Sequence, residues 1–148
     1  MDKKKIFCSD ESVYSEHITK RKSYLIQETK TDQFRIINNQ GKLVWLPAIC
    51  FVPCEIPTIT LINIDDEIKN KFNDCIEVTI SFSDEEKIWT TFMTTNYLKD
   101  HLSTENQFFI GNNTIIVEEI TKIIIESTVM NLDRQNELIE VCRKLQLS

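Results

Sequence analysis

The sequence predicts an α+β domain, in which an antiparallel β-sheet or small barrel of about six or seven strands is followed by C-terminal helices. Three observations indicate this class. Strand-like runs dominate the chain up to residue 94, and sustained helical spacing of apolar residues appears only after that point, although Ile68 and Phe72, four apart, allow a single helical turn before it. The run "CIEVTISF" alternates apolar and polar residues, which is typical of a half-buried strand. A length of 148 residues predicts a single domain, 1–148.

The N-terminal third predicts an arm followed by three strands. Residues 1–19 are polar and have no sustained period, so we expect a mobile or loosely packed arm there. Alternating patterns predict strands in "KSYLIQE", "QFRIINN" and "KLVWLP". The intervening "NNQG" predicts a tight hairpin, because Asn and Gly tolerate positive φ.

These hairpin-linked strands are compatible with a small SH3-like barrel. Pro47 ends the third strand, because proline has no N–H to donate to a neighbouring strand. We interpret Trp45, two residues before it, as a core residue rather than as part of a binding site.

The central segment predicts two further strands and a hairpin. In "IPTITLINI" strict alternation predicts that Ile59 and Leu61 share one face and that Thr60 and Ile62 share the other. The strand "CIEVTISF" predicts a common core face for its even-numbered residues, Ile76, Val78, Ile80 and Phe82. The polar "SDEEK" then connects it to a partner strand, "IWTTFMT".

The last third changes to helical spacing. Thr94 or Thr95 is suited to cap a short helix, "NYLKDHL", because a threonine hydroxyl accepts a hydrogen bond from a free N–H of the first turn. After a strand at 114–120, Ile120, Ile124 and Ser127 predict a second helix. Asp133 predicts the N-cap of a third. The apolar stripe of this last helix is Leu138, Ile139, Cys142 and Leu145.

The charge of −6 is unevenly distributed. Through Val44 there are nine Lys or Arg and six Asp or Glu, whereas from Trp45 onward there are eight and seventeen. Such acidity makes direct nucleic-acid binding unfavourable and suits a basic partner, although it also simply favours solubility. The positive start "MDKKKIFCSDES" is followed by no apolar core, and the longest apolar runs are too short to span a membrane. We therefore expect a cytoplasmic protein without membrane association.

No motif in the sequence predicts catalysis or a cofactor. Two glycines, Gly41 and Gly111, are too few for a phosphate-binding loop. The five cysteines are scattered, and His17 and His101 are isolated, so we expect free thiols and no metal. We predict a protein that is not an enzyme.

Partner binding has more candidates. Two acidic clusters lie in predicted turns, and two adjacent aromatic residues lie in the polar loop "ENQFFIGNN". These candidates for contact with a basic partner are Asp65, Asp66, Glu67, Asp84, Glu85, Glu86, Phe108 and Phe109. Solvated loop carboxylates and a phenylalanine tucked under its loop are the alternative interpretation.

Three stretches carry a resemblance to a known class. "FRIINNQGKLVWLPAICF", "VTISFSDEEKIWTTFMTTNYLKDHL" and "NNTIIVEEIT" resemble small bacterial proteins that include immunity proteins of contact-dependent growth inhibition systems. The resemblance covers about Tyr24 to Thr121. It implies a cytosolic protein that binds one cognate toxin domain, often a basic nuclease, and blocks its active site as a stoichiometric inhibitor.

A second function stays open at this point. The SH3-like strands and the basic residues Lys20, Arg21 and Lys22 are compatible with a small interaction or nucleic-acid adaptor. A toxin gene beside the coding sequence would favour the immunity role.

Overall fold

A computed structural model describes residues 4–51, 56–104, 111 and 113–144 of the chain. The molecule combines strands and short helices in an α+β arrangement, as the sequence predicted. It divides into two compact units, Met1–Ile56 (unit 1) and Pro57–Ser148 (unit 2), each with its own buried cluster.

Unit 1 is an antiparallel meander of four strands in the order β1-β2-β3-β4. The strands are β1 (Lys5–Phe7), β2 (Ser23–Thr29), β3 (Gln33–Ile37) and β4 (Leu43–Pro47), and a 3-10 turn follows at Ala48–Cys50. Among the described residues β4 does not pair with β1, so the strands form an open sheet rather than a closed barrel. Strand β4 ends at Pro47, as the sequence predicted.

The core of unit 1 includes the segment for which the sequence predicted a mobile or loosely packed arm. Residues 4–19 contribute β1 and the buried side chains of Ile6, Cys8 and Ile18. These few apolar residues have no regular spacing, because the chain around them forms turns, and so no periodicity revealed their burial.

The hairpin predicted at "NNQG" joins β3 to β4. The Asn38 carbonyl accepts from the Gly41 N–H at 3.0 Å, and the Asn38 N–H donates to the Lys42 carbonyl at 2.8 Å. Gly41 has φ +76°, a left-handed conformation that glycine adopts without steric cost. The Asn38 side-chain oxygen accepts from the N–H groups of Gln40 and Lys42, which holds the turn closed.

Unit 2 contains a five-stranded sheet and the helices. Its elements are β5 (Ile59–Ile64), β6 (Cys75–Phe82), β7 (Lys87–Thr94), α1 (Thr95–Thr104), β8 (Thr114–Val117), α2 (Lys122–Arg134), α3 (Leu138–Val141) and β9 (Arg143–Lys144). Strands β5, β6 and β7 are antiparallel. Strand β8 joins the second half of β7 in parallel, and β9 joins its first half. The described residues thus form nine strands, more than the six or seven predicted, and β8 and β9 are interleaved with the helices.

The predicted core face of β6 is confirmed. Its four even-numbered apolar residues are all buried, and Ile125 and Val129 of α2 belong to the same cluster. The predicted cap of α1 is also present, because the Thr94 hydroxyl accepts from the Tyr97 N–H at 3.2 Å.

The predicted alternation of β5 is wrong beyond Ile59. Ile59 pairs with Phe82 whereas Leu61 pairs with Ser81, so Thr60 is an extra residue that forms a β-bulge. The bulge shifts the phase of the strand. Ile59, Ile62 and Ile64 therefore pack against the core, and Leu61 is exposed.

The C-terminal helices also differ from prediction. Asp133 does not begin a helix but lies in the last turn of α2. Asn136, at φ +62°, ends that helix: its N–H donates to the Asp133 carbonyl, and the Glu137 N–H donates to the Leu132 carbonyl. This pair of bonds is a Schellman motif. The remaining residues form only the short α3 and the strand β9.

Candidate partner-binding surfaces

The acidic turn 84–86 is the tip of the β6–β7 hairpin. The Phe82 carbonyl accepts from the Glu85 N–H at 3.0 Å, and the Phe82 N–H donates to the Glu86 carbonyl at 2.9 Å. Glu85 has φ +69°, a conformation that costs a residue with a Cβ about 1 kcal/mol. Asp84 and Glu85 are exposed and Glu86 is half-buried.

In the other predicted cluster, Asp65 to Glu67, two of the three carboxylates accept hydrogen bonds from neighbouring residues of unit 2. The two Asp65 carboxylate oxygens accept from the Asn63 side-chain amide and from the Thr79 hydroxyl. The Asp66 carboxylate accepts from the Glu77 N–H at 2.8 Å. Of this cluster only Glu67 has a carboxylate for which the described structure gives no hydrogen bond.

The two acidic clusters do not form one surface. Glu77, which bonds to Asp65 and Asp66, is at the beginning of β6, and Ser83 follows the end of the same strand. Six residue steps along the strand, at roughly 3.3 Å each, place Glu77 and Ser83 about 20 Å apart. A partner contacting one cluster need not contact the other. The predicted site residues Phe108 and Phe109 lie outside the described residues.

The topology instead collects carboxylates at one end of the unit 2 sheet. β5, β7 and β8 end there and β6 begins there, so the segments 65–77, 95–101 and 118–121 come together. Backbone and side-chain bonds connect them: Ile120 N–H to the Lys71 carbonyl at 2.7 Å, and the Asn73 amide to the Asp100 carboxylate at 2.9 Å. We call this region the acidic end.

The acidic end carries eight carboxylates and three lysines. The carboxylates are Asp65, Asp66, Glu67, Asp74, Glu77, Asp100, Glu118 and Glu119, and the lysines are Lys69, Lys71 and Lys99. Lys71 is already paired with Glu119 at 3.2 Å. The sequence indicated Asp65, Asp66 and Glu67 but missed the others, because Asp74 and Glu77 stand singly in a loop and a strand and the rest are 33 or more residues away along the chain.

Two aromatic side chains are exposed at the acidic end. Phe72 is 49% exposed and Tyr97 is 38% exposed. The Asn96 amide donates to the Phe72 carbonyl at 3.1 Å, which places the Phe72 loop beside the first turn of α1. Exposed aromatic residues next to charge are typical of protein–protein contact surfaces. Periodicity did not identify them, because they lie in an irregular loop and at a helix start.

Asp74 organises the acidic end. One carboxylate oxygen accepts from the N–H groups of Lys69 and Asn70, and the other from the Cys75 N–H. Burial alone would raise the pKa of Asp74, but these backbone donors outweigh burial and hold that pKa below its ordinary value. The charged form of Asp74 therefore stabilises the loop 69–74.

The basic stretch Lys20–Lys22 is not a basic surface. Arg21 and Lys22 are each only 8% exposed, and the Arg21 guanidinium lies 5.5 Å from the centre of the Phe7 ring. Lys20 alone is exposed.

Trp45 is not part of the core cluster of unit 1, so its interpretation as a core residue is wrong. It is half-buried on the opposite face of the sheet. The Lys30 ammonium lies 4.2 Å from the ring centre, and the Arg35 guanidinium lies 5.9 Å away. The strand position explains this: Leu46 and Val44 on either side of Trp45 point to the core.

The described cysteines are free thiols, and three of the four are buried. Burial raises the pKa of Cys8 and of Cys142 to about 12. A thiol with so high a pKa is a poor nucleophile at neutral pH. In the described part of the chain, no group of three or more His, Cys, Asp or Glu side chains is arranged to hold a metal ion.

A shallow groove runs between the edge strand β5 and α2. Ile59, Leu61 and Met130 give it apolar walls, and Lys122 and Glu126 lie beside them. The two charges form an ion pair at 3.9 Å, so the groove presents no net charge to a ligand.

No helix within the described ranges has the length and apolar character needed to cross a membrane. No protein-family model, curated protein or solved structure matches the chain.

Proposed function

We propose that this protein is an immunity-type inhibitor, which binds a basic toxin domain, such as a nuclease, in a stoichiometric complex. The observation that supports the proposal is the acidic end, where carboxylates from distant parts of unit 2 lie at the same end of the sheet as exposed Phe72 and Tyr97. The resemblance of Tyr24 to Thr121 to immunity proteins suggests the same role.

Charge and aromatic contacts would serve different purposes in such a complex. Surface carboxylates attract a basic partner over distance and mainly raise the association rate. Exposed aromatic residues supply the buried contact area that slows dissociation. The acidic end offers both charge and aromatic contacts within one region. The hairpin tip consists of three acidic residues, Asp84 to Glu86, and so offers charge alone.

A matched pair of variants separates the two acidic surfaces. The first replaces Glu67, Glu77 and Glu118 by Gln; all three side chains are exposed, and the described structure gives their carboxylates no hydrogen bond. The second replaces Asp84 by Asn and Glu85 and Glu86 by Gln. Each variant removes three negative charges, and exposed charges contribute little to folding. In the second variant, Asp84→Asn keeps a side-chain oxygen that accepts from the Glu86 N–H.

The partner to test is the product of any toxin-domain gene beside the coding sequence. We expect co-expression to restore growth of toxin-producing cells and size-exclusion chromatography with light scattering to give a 1:1 complex. The acidic-end variant should associate several-fold more slowly at low salt, and the difference should shrink as salt screens the charges. The tip variant should associate at nearly the parent rate.

Contrary results have distinct meanings. A slower tip variant with an unchanged acidic-end variant would move the contact surface to the hairpin tip, as the acidic turn by itself suggests. Absence of a complex and of growth rescue would refute the immunity role. The adaptor alternative depended on three basic residues, Lys20 to Lys22. Because two of them, Arg21 and Lys22, are buried, we do not propose nucleic-acid binding.

A further inference from the structure

The outer face of the unit 1 sheet, opposite its core, carries a row of exposed aliphatic side chains. Ile37 pairs with Leu43, and the Ile26–Ile36 pairing continued by one residue places Leu25 beside Ile37. Leu25, Ile37 and Leu43 are 39%, 43% and 51% exposed. Their chain neighbours Tyr24, Ile36 and Val44 fill the core, so these three contribute to no described buried cluster.

A second row lies beside the first on the same face. Glu28 pairs with Arg35, and Arg35 pairs with Trp45. The Arg35–Glu28 ion pair spans 3.3 Å, and Lys30 lies over the Trp45 ring. Trp45, two residues after Leu43 on the same strand and face, adds an aromatic ring beside one end of the aliphatic row.

Positive charge surrounds this surface. Lys5 lies opposite Leu25 in the β1–β2 pairing, and Lys42 is exposed in the turn just before Leu43. With Lys30 and Arg35 these make four cations on or beside the face; two carboxylates lie near them, Glu28, which is paired with Arg35, and Asp32, in the same turn as Lys30. The face is thus apolar at its centre and basic at its edge.

We propose that this outer face docks an amphipathic acidic helix of a protein partner. Three strands at about 4.8 Å spacing put Leu25 and Leu43 roughly 10 Å apart. A helix laid across the strands repeats its apolar side chains at i and i+7, about 10.5 Å apart, so its apolar stripe matches the row. Its carboxylates would then meet the basic edge. The inference does not depend on the proposed inhibitor function, which uses unit 2.

Two other occupants fit less well. Single-stranded nucleic acid binds by stacking bases on aromatic faces, but Lys30 covers one face of Trp45 and the centre of the surface is aliphatic. A second copy docked face to face would oppose two basic edges, which is unfavourable.

The test uses the full chain with Trp89→Phe, so that Trp45 is the single remaining tryptophan. The probe is an 18-residue peptide with leucines repeating at i, i+3, i+4 and i+7, glutamates on the opposite face and alanine at the remaining positions, which favours a helix. A peptide with lysine in place of every glutamate is its control. We expect the fluorescence emission of Trp45 to change and then saturate as the glutamate peptide is added. We expect no saturable change with the lysine peptide.

A matched pair of leucines controls for general loss of apolar surface. Leu43→Ser removes one end of the row, and Leu61→Ser removes an equally exposed strand leucine of unit 2, at 51% and 56%. We expect Leu43→Ser to weaken peptide binding about tenfold, corresponding to roughly 1.4 kcal/mol, and Leu61→Ser to leave it unchanged.

Three results would overturn the proposal: no saturable change with the glutamate peptide, equal binding of the two peptides, or equal weakening by the two serine variants. Concentration-dependent dimerisation that Leu43→Ser abolishes would instead assign this face to a second copy. Tighter binding of an oligothymidylate than of the glutamate peptide would assign it to nucleic acid.

Discussion

Two hairpin turns of this chain share one geometry but differ at the residue that needs a left-handed backbone. Gly41 occupies that position in the β3–β4 turn, and Glu85 occupies it in the β6–β7 turn. A Cβ built on Gly41 meets nothing within 4 Å, so only its φ of +76° disfavours a larger residue. Substitutions at these two positions therefore measure the energetic cost of a left-handed backbone without a change in side-chain packing at Gly41.

Gly41→Ala should lower the free energy of unfolding by about 1 kcal/mol, and Glu85→Gly should raise it by a similar amount. Urea denaturation measures both changes. Glu85→Ala is the control, because it removes the charge but keeps the strained φ, and it should leave stability nearly unchanged. Stabilisation by Glu85→Ala equal to that by Glu85→Gly would show that charge, not φ, sets the cost.

The pH dependence of stability should report on Asp74. Its pKa is lowered in the folded protein, so its contribution is fully present above its ordinary pKa near 3.8 and is lost as pH falls through the lower folded value. Asp74→Asn removes the charge while keeping the shape. We expect it to cost roughly 1–2 kcal/mol at pH 7, as for hydrogen bonds to charged groups.

Denaturation between pH 2 and 7 should therefore show the parent and Asp74→Asn converging at the acid end of the range. Glu67→Gln serves as the control for a solvated carboxylate of the same region. A gap between parent and Asp74→Asn that stays constant down to pH 2 would contradict the role of the charge.

At the scale of elements, neighbouring strands differ in how closely they follow their sequence patterns. β6 keeps its alternation, because it is paired on both sides and a shift of one residue would expose its whole apolar face. β5 is an edge strand and tolerates a bulge at Thr60. A bulge on an edge also limits unwanted pairing with other chains.

Val78 tests the buried face of β6 directly. Its side chain is fully buried, and we expect Val78→Ala to destabilise the protein by about 1–3 kcal/mol. The control Glu77→Gln lies on the exposed side of the same strand and should change stability by less than about 0.5 kcal/mol. An unchanged denaturant midpoint for Val78→Ala would disprove the core role of this face.

At the scale of the whole molecule, charge follows the division into units. Unit 1 has nine Lys or Arg against seven Asp or Glu, and unit 2 has eight against sixteen. The basic surface and the acidic surface that we propose for binding therefore belong to different units. One chain thereby presents two surfaces of opposite charge.

Thiol reactivity provides a measure of opening across both units. Cys8 is buried in unit 1 and Cys142 in unit 2, and burial raises the pKa of each to about 12. We expect about five free thiols in denaturant, from the five cysteines. In native buffer at pH 8, a disulfide reagent should modify Cys8 and Cys142 only as fast as each unit opens.

Mass spectrometry of the labelled protein locates each modification. Destabilisation by Val78→Ala should accelerate labelling of Cys142, which belongs to the same buried cluster. Rapid native labelling of Cys8 or Cys142 in the parent would contradict their burial.

The sequence by itself determined the α+β class, the hairpin at "NNQG", the core face of β6 and the cap of α1. Each of these depends on local chemistry: residue period, tolerance of positive φ, or a hydroxyl before a helix. Only the tertiary structure decided the bulge in β5 and the burial of residues 4–19, and it corrected two local interpretations, the end of α2 and the side of the sheet on which Trp45 lies. It also decided the acidic end, because strand order brings together carboxylates that are separated by up to about 50 residues of chain, and neither period nor composition encodes that order.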